Sequence, residues 1–154
     1  MSARFTVDDD EIVLWWGLVI EGYLTSQSRL MGEIQQRFGL PPAQFDILVR
    51  LVRTPGHRMP MSELARQAAL SSGGFTKVAD RLESAGLITR VPSESDRRVT
   101  HATLTAAGRR LALRARAACA EILRESVLTP LGEERSRALA DLMRLLRDSS
   151  STSR

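Results

Sequence analysis

The chain has 154 residues, 43% of them hydrophobic and 26% charged, with a formal net charge of +4 and a pI near 10.4. This length is typical of one domain or one intertwined subunit with a substantial core, and the single cysteine excludes an internal disulfide. No apolar run approaches the roughly 20 residues that span a bilayer, and the acidic start from Val7 to Glu11 is wrong for a signal peptide, so we expect a cytoplasmic protein without a membrane partner.

Charge and side-chain chemistry favour binding of a polyanion over catalysis. Residues 1–40 hold three basic and six acidic residues (net −3), residues 41–104 hold nine and six (net +3), and residues 105–154 hold ten and six (net +4). This distribution is a modest indication of a polyanionic partner. The sequence contains no nucleophile–base pair, glycine-rich phosphate loop or metal-ligand spacing, so we expect no enzyme activity, metal or cofactor.

The first predicted element is a long helix that begins in the acidic cluster near Asp8 and ends at Phe38, before Gly39. Aspartates at its start can cap the helix and offset its exposed amide dipoles. A helix of about 28 residues is roughly 42 Å long, longer than a small domain needs, so part of it is expected to pack on another subunit. Its apolar residues, which keep helical spacing, are Ile12, Trp16, Val19, Ile20, Tyr23, Leu30, Met31 and Ile34.

A second helix is predicted to begin at Pro41-Pro42 and to end before Thr54-Pro-Gly56, because proline suits the first turn and the latter residues break a helix. Together with the first helix it should support the elements that follow. Met59 is predicted to contribute a short strand to a small sheet.

The stretch from Met61 to Thr105 predicts two short helices and a hairpin. Residues 62–70 have one apolar face, and the hydroxyls of Ser71 and Ser72 can cap a second helix that opens with Gly73-Gly74 and runs to about Ala85. One face of this second helix is apolar, whereas the other is polar and cationic. The polar face comprises Thr76, Lys77, Asp80 and Arg81.

Gly86 lies where a left-handed C-terminal cap is wanted, and two strand-like runs follow, residues 87–91 and 99–105. Turn-forming residues separate the runs, and the tip of the resulting hairpin carries Asp96-Arg97-Arg98. Two helices followed by an arginine-tipped hairpin predict a winged helix. The second helix would fit the major groove of DNA, and the arginines would suit the narrower minor groove.

Two further helices are predicted after the hairpin. Thr105 caps the first, which runs to about Val127, and Thr129-Pro130 opens the second, which runs to about residue 148. Residues 149–154 have no apolar side chain to bury and are predicted to be disordered. The expected fold is therefore mainly α with a small β-hairpin wing.

The motifs between Ser62 and Arg109 closely resemble the MarR family of bacterial transcription regulators. They are S-E-L-A, S-x-x-x-x-T-K, D-R-L-E-x-x-G-L-I-x-R, S-D-R-R and L-T-x-x-G-R. The resemblance implies a single subunit, residues 1–148, with a DNA-binding region at about 40–105 and dimerisation helices at about 8–38 and 105–148. It also implies a homodimer that binds a palindromic operator in double-stranded DNA, acting as a repressor that a small aromatic or phenolic ligand releases.

The resemblance also assigns DNA contacts to the second helix and to the wing. Arg98 matches the minor-groove arginine, and Asp96 matches the acidic residue that supports it. For Ser71 and Ser72 the alternative is plain helix capping, for the polar helix face it is ordinary solvation, and for Asp96 it is a simple turn former. Arg90 and Arg97 could contact phosphates or stay solvated. The predicted DNA-contacting residues are Ser71, Ser72, Gly73, Thr76, Lys77, Arg81, Arg97 and Arg98.

Three aromatic residues of the first helix, Trp15, Trp16 and Tyr23, have two interpretations. They could be plain core of the subunit or dimer, or they could wall a pocket where members of the resembled family accept aromatic ligands. Cys119 lies among alanines at helical spacing, which favours a small core residue over a sensor thiol. An architectural or protein-interaction module that lacks sequence-specific DNA binding is the alternative function.

Overall fold

The structure is a computed structural model that describes residues 6–68 and 70–151, with the backbone alone at residues 150 and 151. The described residues form two compact units, one from residues 33–122 and one from the described parts of residues 1–32 and 123–154. The elements are α1 (Asp9–Phe38), α2 (Pro42–Arg53), β1 (Arg58–Pro60), α3 (Met61–Gln67), α4 (Ser72–Ser84), β2 (Ile88–Pro92), β3 (Thr100–Leu104), α5 (Ala106–Leu123) and α6 (Thr129–Ser151).

The central unit, residues 33–122, contains a three-stranded antiparallel sheet in the order β1-β3-β2. Met59 pairs with Ala102 across the first ladder, which confirms the predicted short strand. Arg90 pairs with Ala102 across the second ladder. Because β3 lies between the other two strands, β2 forms an edge of the sheet. The largest side chains below 2% exposure in this unit are Ile34, Ile47, Leu48, Leu51, Leu64, Leu82, Ile88 and Ile122.

The predicted mainly α fold with a small wing is confirmed, and local capping explains where its helices begin. The Glu11 main-chain N–H donates to Asp8 Oδ1 at 2.8 Å, so α1 begins directly after a capping aspartate. Pro42 lies in the first turn of α2, where its missing N–H costs nothing. Gly39 has a φ of +65° after the end of α1, a backbone conformation that favours glycine.

Several helix boundaries differ from the predictions. α3 ends at Gln67 rather than at Leu70. Thr129 does not cap a new helix, because its backbone is helical and it follows a π-helical segment, Arg124–Leu128, that continues directly from α5. The change of direction falls instead at Gly132, which has a φ of +78° and interrupts α6. The break in the helical path is therefore made by a glycine with φ +78° and ψ +164°, and not by Thr129-Pro130.

The C-terminal helix continues to Ser151, beyond the boundary predicted at residue 148. Ser149 Oγ donates to the Leu146 carbonyl at 2.9 Å, a local bond that is compatible with the helix. The helix thus includes residues 149–151, which the sequence analysis assigned to a disordered tail, while residues 152–154 lie outside the described residues.

The terminal unit carries most of the exposed large apolar side chains of the described chain. In α1 these residues surround the helix rather than forming a single stripe. In α6 four of the five share one face, because Leu139, Leu142, Met143 and Leu146 are spaced by three, one and three residues, while Leu145 lies beside it. Those of α1 are Ile12, Val13, Leu14, Trp15, Trp16, Leu18, Val19, Ile20, Tyr23 and Leu24.

Candidate nucleic-acid interface

The second helix of the helix-turn-helix, α4, is held at its start by a serine cap. Ser71 has an extended backbone, and its Oγ accepts the Gly74 main-chain N–H at 3.2 Å. A Cβ at position 74 would lie 3.0 Å from the same Oγ, so glycine keeps the cap uncrowded. Ser72 is the first helical residue, and only Ser71 of the two predicted serines caps the helix. Ser71, Ser72 and Gly73 are all exposed at this helix N-terminus.

The two faces of α4 match the predicted division into apolar and polar sides. Phe75, Ala79 and Leu82 are buried, whereas Thr76, Lys77 and Arg81 are exposed. The Thr76 hydroxyl donates to the Ser72 carbonyl at 2.9 Å, which leaves its oxygen and its methyl group free to face a partner. Within residues 6–68 and 70–151, Lys77 and Arg81 have no ion pair, so both charges are open to solvent.

The remaining polar residue of that face, Asp80, is bound by an arginine of the wing. Arg90 Nη2 donates to Asp80 Oδ1 at 2.5 Å, and Arg90 Nη1 lies 3.4 Å from Glu83 Oε2. The Arg90 main-chain N–H also donates to Glu83 Oε1 at 3.2 Å. Arg90 therefore bridges β2 and α4, an arrangement that neither sequence interpretation, a phosphate contact or a solvated side chain, had included. The spacing of Asp80 and Glu83 by one turn, followed by an arginine after a glycine turn, is the signal that could have identified the bridge.

A Schellman cap joins α4 to the wing. Gly86 has a φ of +69°, its N–H donates to the Glu83 carbonyl, and the Leu87 N–H donates to the Leu82 carbonyl, both at 2.9 Å. The left-handed cap predicted at Gly86 is thus confirmed. It reverses the chain within two residues and places Ile88 in the core at the start of β2.

Thr105 and Gly108 lock the same turn to the start of α5. The Thr105 hydroxyl donates to the Gly86 carbonyl at 2.6 Å and accepts the Gly108 N–H at 3.0 Å. A Cβ at position 108 would lie 1.9 Å from the Leu87 carbonyl oxygen, so only glycine fits there. These contacts give a physical reason for the L-T-x-x-G motif: it packs α5 directly against the junction of α4 and the wing.

The wing tip presents Arg98 to solvent on a support from Asp96. The Arg98 main-chain N–H and Nε donate to Asp96 Oδ1 at 3.0 and 3.2 Å, and the Arg98 side chain is 91% exposed. These bonds, the main-chain one first, lower the pKa of Asp96 from its ordinary value. A lowered pKa means that the contact persists at neutral pH and is lost only as the pH falls through that pKa. Arg97 beside it is exposed.

The predicted ligand-binding residues are brought together only in part. Tyr23 lines a cleft of about 450 Å³ within the terminal unit, between the middle of α1 and residues 126–143. Trp15 and Trp16 are 52% and 55% exposed and do not line that cleft. Its remaining lining is mostly apolar: Leu18, Val19, Gly22, Ser26, Ser126, Val127, Pro130, Leu131, Leu139 and Met143.

The described part of the chain offers little support for a reactive thiol, a metal site or a membrane span. Cys119 is half-buried, and burial raises the pKa of its thiol, which disfavours the reactive thiolate. No group of His, Cys, Asp and Glu side chains within residues 6–68 and 70–151 could hold a metal ion. None of the described helices combines the length and the hydropathy that a membrane span requires.

The two-helix unit, the basic face of α4 and the arginine-tipped hairpin define a winged helix-turn-helix protein. A model of the MarR family matches residues 38–99. The regulator PecS of Dickeya dadantii is 30% identical over 116 residues, which cover 75% of this chain and 69% of PecS. The chain belongs to the MarR family, whose members are transcription regulators and not enzymes.

Two further comparisons agree with this assignment. The HTH-type transcriptional repressor Rv2887 of Mycobacterium tuberculosis is 42% identical over 79 residues, 51% of this chain and 55% of that repressor. The chain thus spans about half the length of the curated relatives of this type. Sco3205 of Streptomyces coelicolor, a MarR family regulator solved in complex with DNA, has a TM-score of 0.81 and 26% identity, covering 97% of this chain and 92% of that one.

Proposed function

We propose that the protein is a sequence-specific DNA-binding transcription regulator that acts in the cytoplasm as a homodimeric repressor on a palindromic operator. The observation that carries the proposal is the exposed face of α4 with Lys77 and Arg81, which have no ion pair within the described residues, beside an arginine-tipped wing in one compact unit. A helix with such a face suits the major groove, and an exposed arginine suits the minor groove. The DNA complex of Sco3205 and the repressor Rv2887 support the same conclusion.

The homodimer is supported by the apolar surface of the terminal unit. The exposed side chains of α1 and the apolar face of α6 are far more than scattered surface residues, and contiguous apolar surface of this kind marks an interaction site. A closed two-fold dimer is the commonest way to bury it. Two copies of α4 would then address half-sites one helical turn of DNA apart, about 34 Å.

The direct test is a gel shift of the full-length chain with its own promoter region and with a scrambled duplex of equal length. A regulator should shift the promoter fragment at lower concentration than the scrambled duplex, because base contacts add to the shared phosphate contacts. Equal shifts, or none, would favour the architectural or protein-interaction module instead.

Substitutions should separate the wing from the helix. Arg98→Ala should weaken binding to all operator variants, because its side chain would contact the minor groove and backbone, whereas Arg81→Ala or Thr76→Ala should change the preferred bases. Each lost base contact should cost about 1–3 kcal/mol. Binding measured by fluorescence anisotropy on a set of single-base operator variants distinguishes the two patterns. Arg137→Ala, on the charged face of α6 opposite its apolar face, is the control and should leave both affinity and preference unchanged.

We further propose that a small aromatic ligand binds in the cleft at Tyr23 and thereby releases the protein from its operator. The cleft is mostly apolar with a few hydroxyl groups and no charged lining residue, so a neutral phenol fits it better than an aromatic acid. A ligand can shift DNA binding only by preferring one of two dimer geometries, and a coupling of about 1–3 kcal/mol would weaken operator binding roughly 5- to 150-fold.

Titration with phenol should therefore lower the affinity of the protein for its operator. Benzoate, the charged comparison, should leave that affinity unchanged. Tyr23→Ala should remove the response while sparing DNA binding without ligand. Trp16→Ala, outside the cleft lining, should keep the response. An unchanged operator affinity across a panel of neutral phenols would exclude this ligand class, and an equal loss in both variants would show that the response does not come from the cleft.

A further inference from the structure

We propose that the cluster of Asp80, Glu83 and Arg90 determines how well the protein discriminates its operator from other DNA. In this proposal Arg90 is a positioning residue: it holds the wing strand on α4 and is itself kept away from phosphates by the two carboxylates. The inference rests on the proposed DNA-binding function and deepens it.

The cluster joins the two parts of the interface that would enter different grooves. Arg90 belongs to β2, the strand that leads to the wing tip, while Asp80 and Glu83 belong to α4. Three hydrogen bonds and ion pairs connect them, two through the guanidinium and one through the Arg90 main-chain N–H. Because β2 is an edge strand, its outward main-chain N–H groups have no strand partner, and Glu83 accepts one of them, the N–H of Arg90. The orientation of the wing relative to α4 thus depends on charged side chains as well as on the apolar core.

The same cluster determines which face of α4 is basic. Thr76, Asp80 and Glu83 are spaced by four and three residues and lie on the side of the helix that faces β2. Lys77 and Arg81, spaced by four, form the adjacent stripe. The first stripe carries two negative charges that Arg90 offsets only in part, whereas the second stripe carries two positive charges. Phosphates are therefore attracted to the Lys77 and Arg81 stripe and repelled from the wing side, which orients the helix on the duplex.

Among the described residues, these two carboxylates are the hydrogen-bonding and ion-pair partners of the Arg90 side chain. Its Nε is buried and has no hydrogen-bond partner among the described residues, while its side chain as a whole is 28% exposed. A guanidinium that loses one carboxylate keeps its charge, since arginine does not deprotonate in proteins. Without Asp80 its Nη2 would be free to contact a nearby phosphate while Glu83 still binds Nη1 and the main chain, and such a contact adds affinity without base information. Asp80 thus acts against non-specific binding.

The experiment compares the full-length protein with Asp80→Asn, Arg90→Ala and the double variant, each with an operator duplex and a scrambled duplex. Asp80→Asn should tighten binding to the scrambled duplex and reduce the ratio of the two affinities by at least about 2-fold. In the double variant this gain should disappear, because the released arginine is absent. Arg90→Ala should weaken operator binding, because two carboxylates remain uncompensated and the wing loses its support.

A matched control separates this effect from net charge. Asp141→Asn makes the same charge change in the Asp141–Arg144 pair of α6, in the other compact unit and with similar exposure. It should leave the affinity ratio unchanged. Urea unfolding of each variant verifies that it is folded, and Arg90→Lys, which keeps the charge but cannot bridge both carboxylates, replaces Arg90→Ala if that variant does not fold.

The outcomes distinguish the inference from the function on which it rests. If the parent protein binds neither duplex, or binds both equally, the proposed function fails and the inference fails with it. If the parent protein prefers its operator but Asp80→Asn tightens scrambled binding equally with and without Arg90, or no more than Asp141→Asn does, the inference alone is overturned.

Discussion

Raising the salt concentration from about 50 to about 200 mM is expected to weaken operator binding by roughly a thousandfold. Each subunit of the proposed dimer offers Lys77, Arg81, Arg97 and Arg98, and the first two have no ion pair within the described residues. With about six phosphate contacts, the logarithm of the affinity should fall with the logarithm of salt at a slope of about −5, because each contact releases condensed counterions.

Fluorescence anisotropy with a labelled operator at several salt concentrations measures this slope directly. Lys77→Ala should make it less steep by about 1 for each subunit, whereas Thr76→Ala should not change it. A slope near zero would be incompatible with the assigned phosphate contacts and with DNA binding through this surface.

An aspartate in the apolar face of α6 is expected to break the dimer. Leu142 is 57% exposed in the single chain, so Leu142→Asp should cost the subunit's own fold little. In a dimer the same residue would bury an unpaired charge in both copies, at about 4 kcal/mol or more, which corresponds to roughly a thousandfold weaker association. Operator affinity should fall by about a hundredfold or more, since two linked half-sites become two independent ones.

Analytical ultracentrifugation of the parent protein and of Leu142→Asp measures whether each is a dimer. Arg137→Asp places an aspartate on the opposite, charged face of the same helix, where Arg137 pairs with Glu133, and should leave the dimer intact. A Leu142→Asp protein that remains dimeric at low micromolar concentration would exclude this face of α6 from the interface.

Local sequence signals were sufficient to predict most of the secondary structure of the winged-helix region. Apolar spacing, the serine before α4, the glycine after it and the turn residues at the wing tip each act over a few residues, and the structure has these features at the predicted positions. Gly86 is the clearest case, because a Schellman turn needs a residue with positive φ and the sequence offers glycine at that position.

The sequence predictions differ from the structure where two local signals compete, or where residues that contact each other are distant in the sequence. Thr129-Pro130 looks like a helix start, yet the helical path continues from α5 and breaks at Gly132. Trp16 and Tyr23 are seven residues apart on α1, but only Tyr23 lines the cleft, because the other wall comes from residues more than a hundred positions later.

The sequence by itself determined the class of this protein: the order of helices, the capped second helix with its basic stripe, and the hairpin with arginines at its tip. Each depends on periodicity, capping or turn chemistry that is encoded within a few residues. Only the tertiary structure decided which charged side chains of α4 form ion pairs and which are left to contact a partner. Asp80 and Arg81 are neighbours in the chain, yet Asp80 faces β2 and is bound by Arg90, whereas Arg81 has no ion pair within the described residues. The reason is that an ion pair requires two side chains to approach within a few ångströms, and the approach of Arg90 depends on the Gly86 turn and on the packing of α5 at Gly108.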